Sequence, residues 1–83
     1  MSELAEARDP RLRFRRQPDG AWEARLGAGR IVVWWDEGGE VPGPVVTWFI
    51  DGEPLDQDVP DSAEEIAGSV AYAVRALERL QAA

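Results

Sequence analysis

Three residue types that serve much of protein chemistry are missing from the chain. It contains no cysteine and no histidine, which excludes disulfides, thiolate nucleophiles, and the commonest general base and transition-metal ligand. Lysine is also absent, so all nine basic residues are arginine, a bias that we attribute to a GC-rich bacterial genome. No apolar run approaches the roughly 18 residues of a membrane span, and MSELAEARDP carries charges where a signal peptide is apolar. We therefore expect a cytoplasmic protein with no membrane partner.

Length and charge set further limits. In a chain of 83 residues we expect a flexible N-terminal arm over residues 1–10 and a single α+β domain over residues 11–83. The net charge of −7 argues against general affinity for nucleic acid or anionic membranes. Seven arginines lie between positions 8 and 30, whereas ten acids and no basic residue lie between positions 31 and 74. This separation predicts either a large electrostatic dipole or two halves that neutralise each other on folding.

Alternating residues predict a β-hairpin at the start of the domain. RLRFRR (11–16) places its apolar residues on one face and three arginines on the other. QPDGA (17–21) suits a three-residue loop, because proline presets a type I turn and glycine accepts a positive φ. The resulting register gathers the apolar residues on one face and pairs Arg15 with Glu23.

A second hairpin decides where the adjacent tryptophans of IVVWW point. With Ala28 and Gly29 at the centre of the turn, Trp22 lies opposite Trp35. Trp35 then enters the core. Trp34 points to the opposite face, because successive side chains of a strand alternate.

VVTWFID predicts a fourth strand, whose pairing with strand three or strand one is left open. The residues expected in the core are Val46, Trp48 and Ile50, and those expected on the outer face are Val45, Thr47 and Phe49. After a DG turn, EPLDQDVP is either a short edge strand or an irregular acidic loop.

A C-terminal helix is the clearest element. Asp61 or Ser62 is the expected N-cap, and Ser62 and Glu65 form a capping-box pattern. Apolar residues follow at helical spacing. The stripe comprises Ile66, Val70, Val74, Leu77 and Leu80 with Ala63, Ala67 and Ala73. Gly68 and Ser69 mark a candidate close approach inside the helix. We expect an α+β fold, a four-stranded antiparallel meander followed by one helix packed on one face.

The outer sheet face is the candidate binding site, because one helix covers only one face. The residues expected there are Val32, Trp34, Val45 and Phe49, rimmed by Arg13, Arg15 and Arg25. Exposed aromatic residues bordered by arginine are typical of interface cores, so we expect a non-catalytic protein that binds a protein partner or itself as a homodimer. Three alternatives remove this patch. The N-terminal arm covers it, arginine stems cover it with a guanidinium stacked on Trp34, or an inverted register of strand four breaks it.

Two other functions depend on charge. A nucleic-acid-binding β-ribbon is favoured by Arg11, Arg13, Arg15, Arg25 and Arg30, with Trp34 for base stacking. An acidic docking segment with Asp56, Asp58 and Asp61 favours an inhibitor or a nucleic-acid mimic. The sequence lacks EF-hand spacing, a P-loop and a glycine-flanked serine nucleophile, so we expect no metal, no cofactor and no enzymatic activity.

From VPGPVV to DSAEEIAGSVAYAVRALERL, a strand, an acidic turn and a capped helix follow one another. This order resembles HicB-type antitoxin domains and is also similar to small acidic immunity proteins of bacterial polymorphic toxins. The resemblance implies a small protein that binds another macromolecule, and it carries no functional residue over to this chain.

Overall fold

A computed structural model describes residues 11–38 and 42–82. In this part of the chain five antiparallel strands form one sheet in the order β1-β2-β3-β4-β5. The strands are β1 (Arg15–Arg16), β2 (Trp22–Leu26), β3 (Gly29–Asp36), β4 (Gly43–Ile50) and β5 (Glu53–Asp58). A short 3₁₀ helix (Ala63–Glu65) then leads into helix α1 (Ile66–Ala82). The fold is α+β, with five strands instead of the predicted four, because EPLDQDVP forms an edge strand. The arm predicted for residues 1–10 lies outside the described residues.

The first hairpin has the predicted loop and register. Arg15 pairs with Glu23, and Gly20 has a φ of 91°, which glycine adopts at little cost. β1 is only two residues long, so the ladder does not extend to Leu12 and Phe14. Both of these side chains are nevertheless buried in the core.

The second hairpin corrects the predicted register by two residues. Its turn is centred on Gly27 and Ala28, so Leu26 pairs with Gly29. Gly27 has a φ of 61°, the positive value that a type II′ turn needs at its first central residue. A shift of two residues keeps every side chain on its face but moves Trp35 beyond the end of β2. Trp35 is 53% exposed, so the prediction that it enters the core is wrong.

β4 pairs with β3 along its whole length, which resolves the pairing that the sequence left open. Val46 and Trp48 are buried and Ile50 packs against the core, as predicted. Asp51 and Gly52 turn the chain into β5 with φ values of 50° and 82°. Positive φ at both central residues is what a type I′ hairpin turn requires.

Helix α1 covers one face of the sheet, as predicted, and buries most of its apolar stripe. The buried residues of α1 are Ile66, Ala67, Ser69, Val70, Ala73, Val74 and Leu77. Leu80 lies past the last of these and is half exposed, and Ala63 is exposed in the preceding 3₁₀ helix. The prediction that these two residues belong to the buried stripe is wrong. Gly68 has open space around its Cα, whereas a Cβ on Gly29 would lie 2.8 Å from Leu77 Cδ1. The close approach of helix and sheet is therefore at Gly29 and not at Gly68.

The start of the helix differs from a capping box. Ser62 makes no side-chain hydrogen bond to the helix. The Glu65 carboxylate instead accepts a hydrogen bond from the backbone N–H of Asp61 (3.0 Å). Of the predicted capping box, only the hydrogen bond to Glu65 forms. Its donor is the N–H of Asp61, one residue before Ser62.

Candidate functional site

The outer face of the sheet, opposite α1, is the candidate site. The alternation of the strands places on it Arg15, Glu23, Arg25, Arg30, Val32, Trp34, Val45, Thr47 and Phe49. Val32, Trp34 and Phe49 are half-buried, whereas Val45 is only 3% exposed. The prediction that Val45 is an exposed part of the patch is therefore wrong.

Trp34 is the cross-strand neighbour of Val45. The two residues lie directly opposite each other in the β3–β4 ladder, where side chains are in contact distance. The Trp34 indole N–H donates a hydrogen bond to the Thr47 hydroxyl on β4 (3.0 Å). The indole thus extends towards β4 on the face that carries Val45, and the hydrogen bond orients it there.

Arginine side chains cover another part of the outer face. The Arg30 guanidinium lies 4.3 Å from the centroid of the Phe49 ring, a cation–π distance. The Glu23 side chain is 17% exposed and forms two ion pairs. Its Oε1 lies 3.6 Å from Arg25 Nε, and its Oε2 lies 3.8 Å from Arg30 Nη1. The stacked guanidinium anticipated on Trp34 is thus found on Phe49, and the apolar patch is smaller than the sequence suggests.

Two open clefts border this face. The first, which we call the Trp34 cleft, has a volume of about 440 Å³. It is lined by Asp19, Gly20, Ala21, Val32, Trp34, Trp35 and Glu37. The second, the arginine cleft, has a volume of about 340 Å³ and is lined by Arg11, Arg13, Arg15, Gln17, Glu23 and Arg25. The arginines predicted for the site are therefore brought together, but beside the tryptophan surface and not as a ring around it.

Asp19 and Glu37 line the candidate site as well, and the sequence pattern did not indicate them. Ala21 precedes Trp22, which pairs with Val33, so the loop carrying Asp19 lies next to Trp34. The Asp19 carboxylate also accepts a hydrogen bond from the Ala21 backbone N–H (3.0 Å), which fixes its position. Asp19 belongs to the PDG turn that the sequence predicted. Its position beside Trp34 follows only once the register of β2 and β3 is known.

The acidic segment lies away from the outer face. Asp56 and Asp58 pair with Trp48 and Val46, on the side of the sheet that faces α1. The buried Ser69 hydroxyl donates a hydrogen bond of 2.6 Å to Asp58, a contact that ties the helix to the edge strand. Asp61 is exposed beyond β5. The proposed docking role of these acids stays a prediction.

Strand β5 forms the sheet edge, and all of its residues are exposed. Trp48 pairs with Asp56 but Phe49 with Pro54, so the register shifts at a bulge. A bulge, a proline and charged side chains at an edge disfavour the addition of a strand from another chain. The outer face is therefore a better candidate for binding than this edge.

No family model, curated protein or solved structure matches the chain. The similarity to HicB-type antitoxin domains and to immunity proteins therefore rests on the order of elements alone. Within residues 11–38 and 42–82, no three acidic side chains are grouped so as to hold a metal ion. No helix in the same ranges is long and apolar enough to cross a bilayer.

Proposed function

We propose that the protein is a non-catalytic interaction domain that binds another protein, or a second copy of itself, through the outer face of its sheet. The observation that carries this proposal is the unequal covering of the two faces. Helix α1 closes one face, whereas Val32, Trp34 and Phe49 stay partly accessible on the other. Tryptophan and arginine dominate the binding energy of many interfaces, and both are present here.

The fixed orientation of Trp34 adds to this argument. Its hydrogen bond to Thr47 holds the indole before any partner arrives, so that less side-chain entropy is lost on binding. The arginines beside the tryptophan surface have apolar stems and charged ends, which suits one side of the rim of an interface.

Site-specific photo-crosslinking in cells of the source organism tests directly whether the outer face binds a protein. A photoreactive amino acid replaces Arg15, which is exposed on the outer face, and in a control replaces Arg79, which is exposed on α1. We expect a discrete covalent protein adduct from position 15 and none from position 79. Equal adducts from both positions, or none from position 15, would overturn the proposal.

Trp34→Ala then measures the contribution of the indole to the adduct-forming complex. We expect binding to weaken by at least about 2 kcal/mol, while circular dichroism shows a folded domain. Trp34→Phe is the matched variant, because it keeps an aromatic ring but loses the hydrogen bond to Thr47 and part of the area of the indole. Unfolding of Trp34→Ala would show that the indole serves the fold and not a partner.

Nucleic-acid binding is the second candidate function, favoured by the arginine cleft. The cleft gathers four arginines and the acid Glu23, and one of the four, Arg11, also pairs with Glu78 of α1 at 3.4 Å. Fluorescence anisotropy with single- and double-stranded oligonucleotides at low salt should then show binding that falls steeply as salt is added. Replacing Arg13 and Arg15 with glutamine should reduce this salt slope, and replacing Arg75 and Arg79 should not. If the anisotropy of neither oligonucleotide changes when the protein is added at low salt, this candidate function is excluded.

A further inference from the structure

The outer face has opposite electrostatic character at its two ends. One end, the acidic pole, is formed by Asp19, Trp34 and Glu37 of the Trp34 cleft. The other end, the basic pole, contains Arg25 and Arg30, which are paired across β2 and β3. Trp34 and Arg30 are four residues apart on one strand, which corresponds to about 13 Å.

This arrangement is self-complementary under a two-fold rotation. An axis that lies in the plane of contact and crosses the strands at right angles places each strand over its own copy with the direction reversed. The acidic pole of each copy then lies over the basic pole of the other. Isologous contacts of this kind are the commonest in soluble oligomers, and aligned sheets are a common form of face-to-face packing.

We propose that a second copy of this chain occupies the outer face, and that Arg25 of each copy enters the Trp34 cleft of the other. This inference rests on the proposed function, since it assigns the occupant of the same face. The Arg25 side chain is 81% exposed, and its contact with Glu23 is 3.6 Å long. Little free energy is therefore lost when Arg25 leaves Glu23 and enters the cleft of the second copy.

The Trp34 cleft has the chemistry that a guanidinium needs. Asp19 and Glu37 supply carboxylates, and Trp34 supplies the face of an indole, the ring that binds cations best. Facing sheets pack about 10 Å apart, a gap that an arginine side chain crosses. Symmetry makes each contact twice, so each copy places one arginine in the partner's acidic cleft and receives one in its own, without a foreign partner.

Charge exchange between the poles tests this dimer. The two variants are Arg25→Glu and Glu37→Arg, and light scattering on a sizing column gives the mass from micromolar to near-millimolar concentration. We expect the wild type to dimerise, and each variant to dimerise at least about tenfold more weakly, because both symmetric contacts become repulsive. An equimolar mixture of the two variants should restore a heterodimer, since both contacts are then attractive again.

Two control variants carry the same charge changes elsewhere. Arg79→Glu on α1 and Glu53→Arg on β5 alter exposed residues away from the outer face and should leave dimerisation unchanged. Thermal unfolding of each variant verifies that it is folded.

Three results would overturn the dimer. They are a wild-type monomer at all concentrations, a dimer that neither variant weakens, and a mixture that does not reassociate. If the wild type is a monomer but the crosslinker at position 15 captures another protein, the dimer is excluded and the proposed function is retained. The failures of the two proposals are therefore distinguishable.

Discussion

The two faces of the sheet are built from alternate residues of the same strands and are stabilised in different ways. On the face under α1, Ile31, Val33 and Val46 are at most 1% exposed and closely packed. On the outer face, Trp34 and Phe49 are held by a hydrogen bond and by a stacked guanidinium. Apolar burial contributes the larger share of stability, whereas polar contacts at a surface can be exchanged for those of a partner. The difference distinguishes a face that stabilises the fold from the face to which we assign the proposed binding role.

The largest expected effect compares two neighbours in β4. Trp48→Ala removes a side chain that is 2% exposed, and should lower the free energy of unfolding by about 3–5 kcal/mol. Phe49→Ala removes a half-buried ring from the outer face and should cost less than half as much. Urea denaturation followed by circular dichroism measures both losses. Equal losses would contradict the distinction between the faces.

Two glycines sharpen the comparison at the helix. Gly29→Ala places a Cβ against Leu77 and should cost about 1–3 kcal/mol by overpacking. Gly68→Ala meets no atom within 4 Å and should stabilise the domain by about 0.5–1 kcal/mol, because alanine is the better helix former. Shifts of the same sign in thermal unfolding would show that the contact between helix and sheet is placed wrongly.

Two serines near the start of the helix test the tie to the edge strand. Ser69→Ala removes the hydroxyl that donates to Asp58 and should destabilise the domain by about 1 kcal/mol. Ser62→Ala is the matched control, since its side chain makes no capping hydrogen bond. Its effect should stay within about 0.5 kcal/mol. Hydrogen exchange at the β5 amides should rise in the first variant alone.

The smallest effect is expected on the outer face. Arg30→Gln removes the guanidinium from the Phe49 ring and should cost about 0.5–1 kcal/mol. Arg15→Gln on the same face makes a suitable control and should change stability by less than about 0.5 kcal/mol. A loss from Arg30→Gln as large as that from Trp48→Ala would show that the outer face is part of the folding core.

Much of the fold was predictable because local patterns carry it. The alternation in β4 correctly assigned Val46 and Trp48 to the core, and the periodicity after Ser62 located the helix. The DG pair marked a turn whose φ values the structure confirms. These features were predictable because strand alternation, helix periodicity and turn residues all depend on residues that are close together in the sequence.

The register of the second hairpin was not predictable from the alternation of residues. A shift of two residues preserves every face, so Ala28–Gly29 and Gly27–Ala28 were equally compatible with the hydrophobic pattern. Packing against the helix favours the second, since Gly29 then lies under Leu77. Gln81 from the end of α1 also binds this turn, accepting from the Ala28 N–H and donating to the Leu26 carbonyl, both at 2.9 Å.

The sequence alone thus determined which side chains share a face, where the chain turns in the first hairpin and at the DG pair, and which element closes the core. It did so because these properties depend on residues close together in the chain. The positions of Asp19 beside Trp34, of Arg30 over Phe49 and of Trp35 in solvent required the tertiary structure. They depend on contacts between strands, whose register is set by the packing of the whole sheet against α1.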